Sequence, residues 1–440
     1  MKYCRPAGLR LILLYSQDRR GLGHINRTLA IARRLLAADP NLVAYIATKS
    51  AIASNFPLPE RCDYLKLPTR LTPRTFQRTE ADEEASLQHF RGIRSQLLRD
   101  AALGLAPDLV LVDHEPLGIS GEFRDGLYAL KAECPATKFI FGLRDIMDDE
   151  VRTRDLWHKL GVYDALENLY DGIAVYGSPK LYDVVEAYAI PPWVQAKLHY
   201  CGYVARELPA VDGVELRQQL GLSPNGRLVL ATVGGGYDGY PVLEVAAQAV
   251  ERLQAKFPEL IALMVTGPLM PAADQAALMA RANARCRVVS CADTFQLMTI
   301  ADAIVSMGGY NSVCEALAAA RPLVIVPRAT HKVEQRIRAE LFASRGVARC
   351  VLPQTLNAET LGDALEWALR CDRPSHARLV REVIPSFDGD VRLAAYLSQW
   401  LGAAKPQPEI GVVHEWKPDL SRHAVGIAAD LLRVSLEAAQ

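Results

Sequence analysis

Three stretches of the chain combine residue types and spacings that could do chemistry. The first is Gly21-Leu-Gly-His24, placed just before a helical pattern. Gly21 and Gly23 would let the backbone approach a ligand, and the helix N-terminus beyond them would offer free N–H groups to an anion. His24 is suited to act as a general base near neutral pH. The third glycine of a dinucleotide fingerprint is missing, because position 26 is Asn. The competing reading is a tight turn with His24 as a solvated or capping residue. The second stretch is Gly234-Gly-Gly236, followed by Tyr237-Asp-Gly-Tyr240. Three consecutive glycines carry a high entropic cost and no packing value, so Gly234, Gly235 and Gly236 read as a backbone nest for phosphate, against a plain flexible loop.

The third stretch is the most specific. Ser306-Met-Gly-Gly-Tyr-Asn-Ser-Val-Cys-Glu315 runs from a strand into a helix expected over Val313–Ala319. Gly308, Gly309, Asn311 and Ser312 would present N–H groups and a hydroxyl to a diphosphate. Glu315, a helical turn further on, is placed to accept hydrogen bonds from ribose hydroxyls. Glu334 and Gln335 open a neighbouring helix and could reach sugar hydroxyls. Capping gives the other reading: Asn311 or Ser312 as N-cap, with Glu315 closing a capping box on Ser312.

Two further clusters stand at strand ends. Asp113-His-Glu115 could orient His24, contact an acceptor or hold a cation, or it could be a loop held by local hydrogen bonds. It lacks the remaining ligand spacing of a metal site, and none is assigned. Arg144 and Asp145 read either as an acceptor-binding pair or as an internal salt bridge. His331 reads as a loop residue near the donor. Phe295 and Met298 read as core.

These residues need a scaffold, and short apolar runs alternating with helical patterns supply one. Strands are expected at Leu11–Tyr15, Val43–Ala47, Leu109–Asp113, Lys138–Gly142 and Gly172–Tyr176. A second series follows at Arg227–Thr232, Ile261–Thr266, Arg287–Ser290, Ala303–Ser306 and Leu323–Val326. Continuous apolar strands of this type belong to buried parallel sheets. The chain therefore reads as α/β, with an N-terminal unit over 1–207 and a second over 208–400. Pro209 and Asp212-Gly213 mark the join. Residues 401–440 read as a linker and a terminal helix at Arg422–Leu436. The segment Arg70–Arg94 reads as a mobile or solvated excursion in which Arg70, Arg74 and Arg78 could form a basic stripe. Asp388-Gly-Asp390 reads as a turn.

Composition narrows the function. Lys+Arg and Asp+Glu both total 50 in 440 residues, so no basic excess points to nucleic acid. The nine cysteines are scattered singly, which suits a reducing compartment. No apolar stretch approaches the roughly 18 residues of a membrane span, so the expectation is a cytoplasmic protein with peripheral membrane contact at most.

Ser306–Val347 resembles the C-terminal nucleotide-sugar domain of GT-B glycosyltransferases, notably the lipid-intermediate N-acetylglucosaminyltransferase group of peptidoglycan synthesis. Gly21-x-Gly-His24 resembles that group's acceptor-side glycine loop. A set of predicted bacterial glycosyltransferases is similar through Gly21-Leu-Gly-His-Ile-Asn-Arg27, Asp113-His-Glu-Pro-Leu-Gly118, Gly142-Leu-Arg-Asp-Ile-Met-Asp148 and Tyr200-Cys-Gly-Tyr203. The likeness spans about residues 10–395. It implies two Rossmann-like domains with parallel sheets facing across a cleft, and a C-terminal helix crossing back.

The resemblance also implies roles. His24 would be the acceptor base or a donor to the leaving diphosphate, with Asp113 beside it. Gly21, Gly23, Glu115, Arg144 and Asp145 would lie on the acceptor side. Gly308, Gly309, Asn311 and Ser312 would hold the diphosphate, Glu315 the ribose, and Glu334 and Gln335 the donor sugar. The implied reaction is inverting, metal-independent transfer from a nucleoside-diphosphate sugar, a UDP-hexose by the likeness, to an unidentified hydroxyl acceptor without a cofactor. The same fold also serves nucleotide-sugar 2-epimerases and hydrolases, and a non-catalytic nucleotide-sugar binder would share the donor residues. Glu334-Gln335 replaces the paired glutamines of the peptidoglycan group, so donor identity does not carry over.

Overall fold

The computed structural model describes residues 5–6, 8–17, 23–50, 52–69, 80–328 and 333–402. The stretches Gly21, Arg70–Arg78, His331, the linker and the Arg422–Leu436 helix lie outside the described residues. Two compact units are present, the first running through Glu207 and the second occupying most of Leu208–Pro385.

In the first unit, β1 (Arg10–Ser16), β2 (Leu42–Thr48), β3 (Cys62–Lys66), β4 (Leu109–Asp113), β5 (Lys138–Arg144), β6 (Gly172–Tyr176) and β7 (Leu198–Tyr200) form one sheet in the order β3-β2-β1-β4-β5-β6-β7. Every pairing is parallel. Branched and aromatic runs such as Leu109–Val112 are buried throughout, as a sheet covered on both faces requires. The helix Gly23–Ala38 packs Ile25, Leu29, Ala32 and Leu36 inward at helical spacing.

The second unit repeats the plan. β8 (Arg227–Thr232), β9 (Leu260–Val265), β10 (Cys286–Val289), β11 (Ala303–Ser306), β12 (Leu323–Ile325) and β13 (Ala348–Cys350) are ordered β10-β9-β8-β11-β12-β13, again parallel. Phe295 and Met298 are buried, as expected of core residues.

Both sheets reverse direction once. In the first, the chain leaves β1 towards β2 and β3, then returns to place β4 on the other side of β1. In the second, β8 and β11 flank the same kind of reversal. Loops leaving the carboxyl ends of two such strands diverge to opposite faces and open a crevice, which is where open α/β sheets bind ligands. The register places Val112 of β4 beside Tyr15 of β1, and Ser306 of β11 beside Thr232 of β8. Asp113 therefore ends β4 beside the strand that leads to His24, and Gly234 and Gly308 follow two strands that likewise end side by side.

Three differences from the sequence expectations have physical reasons. The segment Arg70–Arg94, read as a mobile or solvated excursion, is from Glu80 part of the regular helix Glu80–Leu105, whose side chains over Glu84–Arg94 are exposed or half-buried. There Arg94 Nε donates to the buried Glu122 carboxylate at 2.6 Å, and Glu122 also accepts from the Tyr15 hydroxyl at 2.8 Å. Asp388-Gly-Asp390 is the start of the helix Gly389–Leu401 and not a turn. That helix and the residues from Ser386 group with the first unit, although the sequence placed them in the second. Asp390 accepts from Arg34 Nε at 2.7 Å, and the Tyr396 ring stacks on His199 at 4.2 Å. A Cβ at Gly389 would lie 2.6 Å from the Tyr203 carbonyl carbon, so only glycine admits this approach.

Candidate functional site

At the reversal point of the first sheet, Asp113 and His24 meet. Nδ1 of His24 lies 2.6 Å from Oδ2 of Asp113. Arg27, one turn along the same helix face, donates to Asp113 Oδ1 from Nε at 3.1 Å and from Nη2 at 2.8 Å, and to Oδ2 from Nη2 at 2.7 Å. The Arg27 and Asp113 side chains are almost wholly buried, whereas His24 keeps 18% of its side chain exposed. Nη2 of Arg27 also lies 3.0 Å from His24 Nδ1. One nitrogen cannot donate to the carboxylate and accept from the guanidinium together. We assign the proton to Nδ1, donating to Asp113, which leaves Nε2 with its lone pair.

Electrostatics keeps the ring neutral. Burial drives the His24 imidazole down to about 4, against the attraction of Asp113 and with help from the Arg27 and Arg144 cations. Burial alone would raise Asp113, but Arg27 and His24 outweigh it and hold the carboxyl at about 2. At neutral pH the group is a carboxylate, a guanidinium and a neutral imidazole whose Nε2 can take a proton.

The flanking residues are built in around this group. His114 follows Asp113 with φ of +69°, a conformation a non-glycine residue adopts only when its surroundings hold it there. Its N–H donates to the Gly142 carbonyl at 2.8 Å, and its ring centroid lies 5.1 Å from that of His24. Arg144 approaches the His114 ring, with Nε 3.3 Å from Nδ1. Glu115 Oε1 accepts from Gln17 Nε2 at 3.3 Å, joining the loops after β4 and β1. Asp145 is buried and accepts from the Tyr203 hydroxyl at 2.8 Å and from the Ile146 N–H at 2.7 Å. Its carboxylate is committed to framework bonds, so Arg144 and Asp145 face different partners and serve different ends. Gly23 starts the helix that carries His24.

In the second unit, the glycine stretches separate into two roles. Gly236 has φ of +92°, and a Cβ there would lie 2.0 Å from the Thr266 carbonyl oxygen. Gly267 likewise admits no Cβ beside the Gly234 carbonyl, and Leu269 N–H donates to Gly235 O at 2.8 Å. The expectation of no packing value for this stretch is therefore corrected at Gly236, which is needed where two loops cross. Gly234 has φ of +63° but open space at its Cβ position. Asp238 pairs with Arg328 at 2.5 Å, tying this loop to the one after β12.

The helix expected over Val313–Ala319 is Tyr310–Ala318, with Gly309 as its N-cap and no side-chain cap bond. Asn311 and Ser312 are thus within the first turn, and the capping box with Glu315 does not form. Gly308 has φ of +80°, and a Cβ would press on Ile325 at 2.8 Å; at Gly309 a Cβ would meet nothing within 4 Å. Glu315 is buried in the second turn. Glu334 and Gln335 open the helix Glu334–Ser344 as expected. Gln335, however, is buried, and its Oε1 accepts from the Arg328 N–H at 3.1 Å, so it shapes a loop. Arg338, a residue the sequence reading passed over, is fully buried and donates to the Gly308 carbonyl at 2.8 Å.

Residues 230–373 match the glycosyltransferase family 28 C-terminal domain. That segment spans both glycine stretches and the helix Glu334–Ser344. An uncharacterised glycosyltransferase of Methanopyrus kandleri is 25% identical over 198 residues, which is 43% of this chain and 52% of the relative, so the chain spans about half the length of that relative. Among solved structures, the calicheamicin glycosyltransferase CalG4 superposes with a TM-score of 0.60 at 17% identity, covering 90% of this chain and all of CalG4. A transferase from Siraitia grosvenorii solved with UDP gives 0.57 at 15% identity over 89% of this chain and all of its own. These likenesses establish the fold as α/β of the GT-B class. Among the described residues no helix is long and apolar enough to cross a membrane.

Proposed function

We propose that the chain is a glycosyltransferase that moves a sugar from a nucleoside-diphosphate sugar to a hydroxyl acceptor with inversion at the anomeric carbon. The observation that carries this reading is the 2.6 Å contact of His24 Nδ1 with Asp113 at the reversal point of a parallel sheet. A neutral imidazole so oriented accepts the acceptor's proton at Nε2 as the hydroxyl oxygen attacks. Asp113 compensates the imidazolium that forms. Bond-making to the acceptor and bond-breaking to the diphosphate pass through an oxocarbenium-like state whose growing charge falls on the leaving group.

The family 28 match supports the second unit as the donor side. The N-terminus of Tyr310–Ala318, with Gly308 and Gly309 before it, suits the diphosphate, and Gly234 the same charge. Asn311, Ser312 and Glu315 follow as donor residues, Glu315 at the ribose. Glu334, whose carboxylate accepts from Arg144 Nη2 at 3.4 Å, is the proposed sugar-facing member of its pair, and Gln335 serves its loop. A UDP-hexose is the proposed donor, and the likeness to the Siraitia grosvenorii transferase solved with UDP supports its base. Metal independence is part of the proposal: the one Asp-x-Asp sequence has its carboxylates engaged, Asp390 by Arg34 and Asp388 by Arg392.

A thermal-shift panel of UDP, dTDP, GDP, ADP, CMP and NAD tests the donor side. Binding at 100 times the dissociation constant stabilises by about 2.7 kcal/mol. A shift with one nucleoside diphosphate supports the reading and names the base, while a flat response across the panel counts against a donor site.

A further inference from the structure

We propose that Arg27 is a positioning residue: its guanidinium, held between the Asp113 carboxylate and the face of Tyr176, fixes the proton on His24 Nδ1 and so delivers Nε2 as the base. This inference rests on the reading of His24 as acceptor base. Three observations carry it. Arg27 spans both oxygens of Asp113, with Nη2 at 2.8 Å and 2.7 Å, which sets the carboxylate plane. The guanidinium carbon lies 5.3 Å from the centre of the Tyr176 ring, so the cation cannot swing away from the carboxylate without leaving the ring face. Nη2 also stands 3.0 Å from His24 Nδ1.

The third contact gives the arrangement its consequence. A cation at that distance disfavours imidazolium, and the carboxylate beyond it demands a donor, so a neutral ring protonated at Nδ1 meets both conditions. Tyr176 is itself positioned for this. It ends β6, is wholly buried, and its hydroxyl occupies the place a Cβ at Gly142 would need, 2.1 Å away. Among the described residues its hydroxyl oxygen has no hydrogen-bond partner, so it is the ring face that the fold uses. Among the described residues, the groups facing His24 are Asp113 from β4, Arg27 from its own helix, Arg144 from β5 and His114 from the loop after β4.

Removing the cation leaves Asp113 unopposed beside His24, and the imidazole then takes up a proton more readily. A base is lost when it is protonated, so activity falls first at low pH. The test is nitrogen-15 NMR of histidine-labelled wild type and Arg27→Met, with the His24 signals assigned from His24→Ala. In the wild type His24 is expected as the Nδ1–H tautomer, neutral down to about pH 5. In Arg27→Met its titration should rise by about one pH unit or more, close to a tenfold change in proton affinity, and the acid limb of the transfer rate should rise with it. A folded Arg27→Met with the His24 titration and tautomer unchanged overturns the proposal.

If that variant does not fold, Tyr176→Leu, which removes the ring face and keeps the cation, decides. A raised His24 titration then supports the clamp and an unmoved one overturns it. The NMR readout needs no acceptor. Absence of transfer in the wild type would therefore sink the functional reading alone, and an unmoved His24 signal in an active enzyme would sink the clamp alone.

Discussion

Asp113 and His24 are separated by 89 residues in the chain and by 2.6 Å in space, and the reversal of the first sheet between β1 and β4 brings them together. The carboxylate ends a strand and cannot turn, whereas the imidazole rides on the first turn of a helix. Their contact therefore depends on how that helix seats on the sheet. Arg27, from the same helix, closes the seat.

The protonation of this group makes stability depend on pH. The native His24 titrates at about 4 against an ordinary 6.5, and Asp113 at about 2 against 3.8. In both cases the unfolded chain binds the proton that the native state withholds. Stability is then fully present above pH 6.5, falls as pH drops from there to about 4 through His24, and falls again from about 4 to 2 through Asp113. The His24 limb is worth up to about 3 kcal/mol. Urea midpoints measured against pH should show both limbs, and His24→Ala should lose the upper one and shrink the lower, because His24 helps hold the Asp113 carboxyl down. Equal slopes in the two proteins between pH 6.5 and 4 would contradict the buried neutral imidazole.

The glycines of the second unit divide into those the fold needs and those a ligand needs. Gly236→Ala sets a Cβ against the Thr266 carbonyl at a φ of +92°, and a loss of roughly 2–4 kcal/mol is expected from its melting curve. Gly309→Ala adds a methyl to open space at a backbone φ of −59° that alanine accepts. Its melting temperature should match the wild type, while nucleoside-diphosphate affinity, by calorimetry, should drop about tenfold or more, ~1.4 kcal/mol. Undiminished affinity in Gly309→Ala would remove the diphosphate from that loop.

Asp390 holds the helix Gly389–Leu401 to the first unit through Arg34. Asp390→Ala should lower stability by about 1 kcal/mol, since Arg34 Nε loses its acceptor while Nη2 keeps Glu207 at 3.0 Å. It should leave the rate per folded molecule unchanged, and a chelator should not slow the wild type. A chelator-sensitive rate restored by a divalent cation would overturn the metal-independent part of the proposal.

The central strands were legible because a buried parallel strand is an apolar run: Leu109–Asp113, Gly172–Tyr176, Arg227–Thr232 and Ala303–Ser306 lie where the sequence put them. β3, β7 and β13 were missed, being edge strands, partly exposed and short or mixed in character, such as Leu198-His-Tyr200. His24, Asp113 and Gly308 could be named from glycine loops and strand ends. Arg27 could not be given a role, because an arginine on a helix defaults to solvent and its burial depends on a carboxylate 86 residues away. Gln335 and Gly236 misled for a related reason: each answers to a loop from another part of the chain, which spacing along the sequence does not report.

The transfer reaction itself is the most direct measurement: UDP-hexoses with a panel of hydroxyl acceptors, followed by the mass and anomeric configuration of the sugar product, for wild type and His24→Ala. The expected result is an inverted glycoside from the wild type, and from His24→Ala a turnover lower by about 10²–10⁴ with nucleotide affinity intact. Free sugar or an epimer formed without any acceptor, or full turnover in His24→Ala, would contradict the assignment of His24 as the acceptor base.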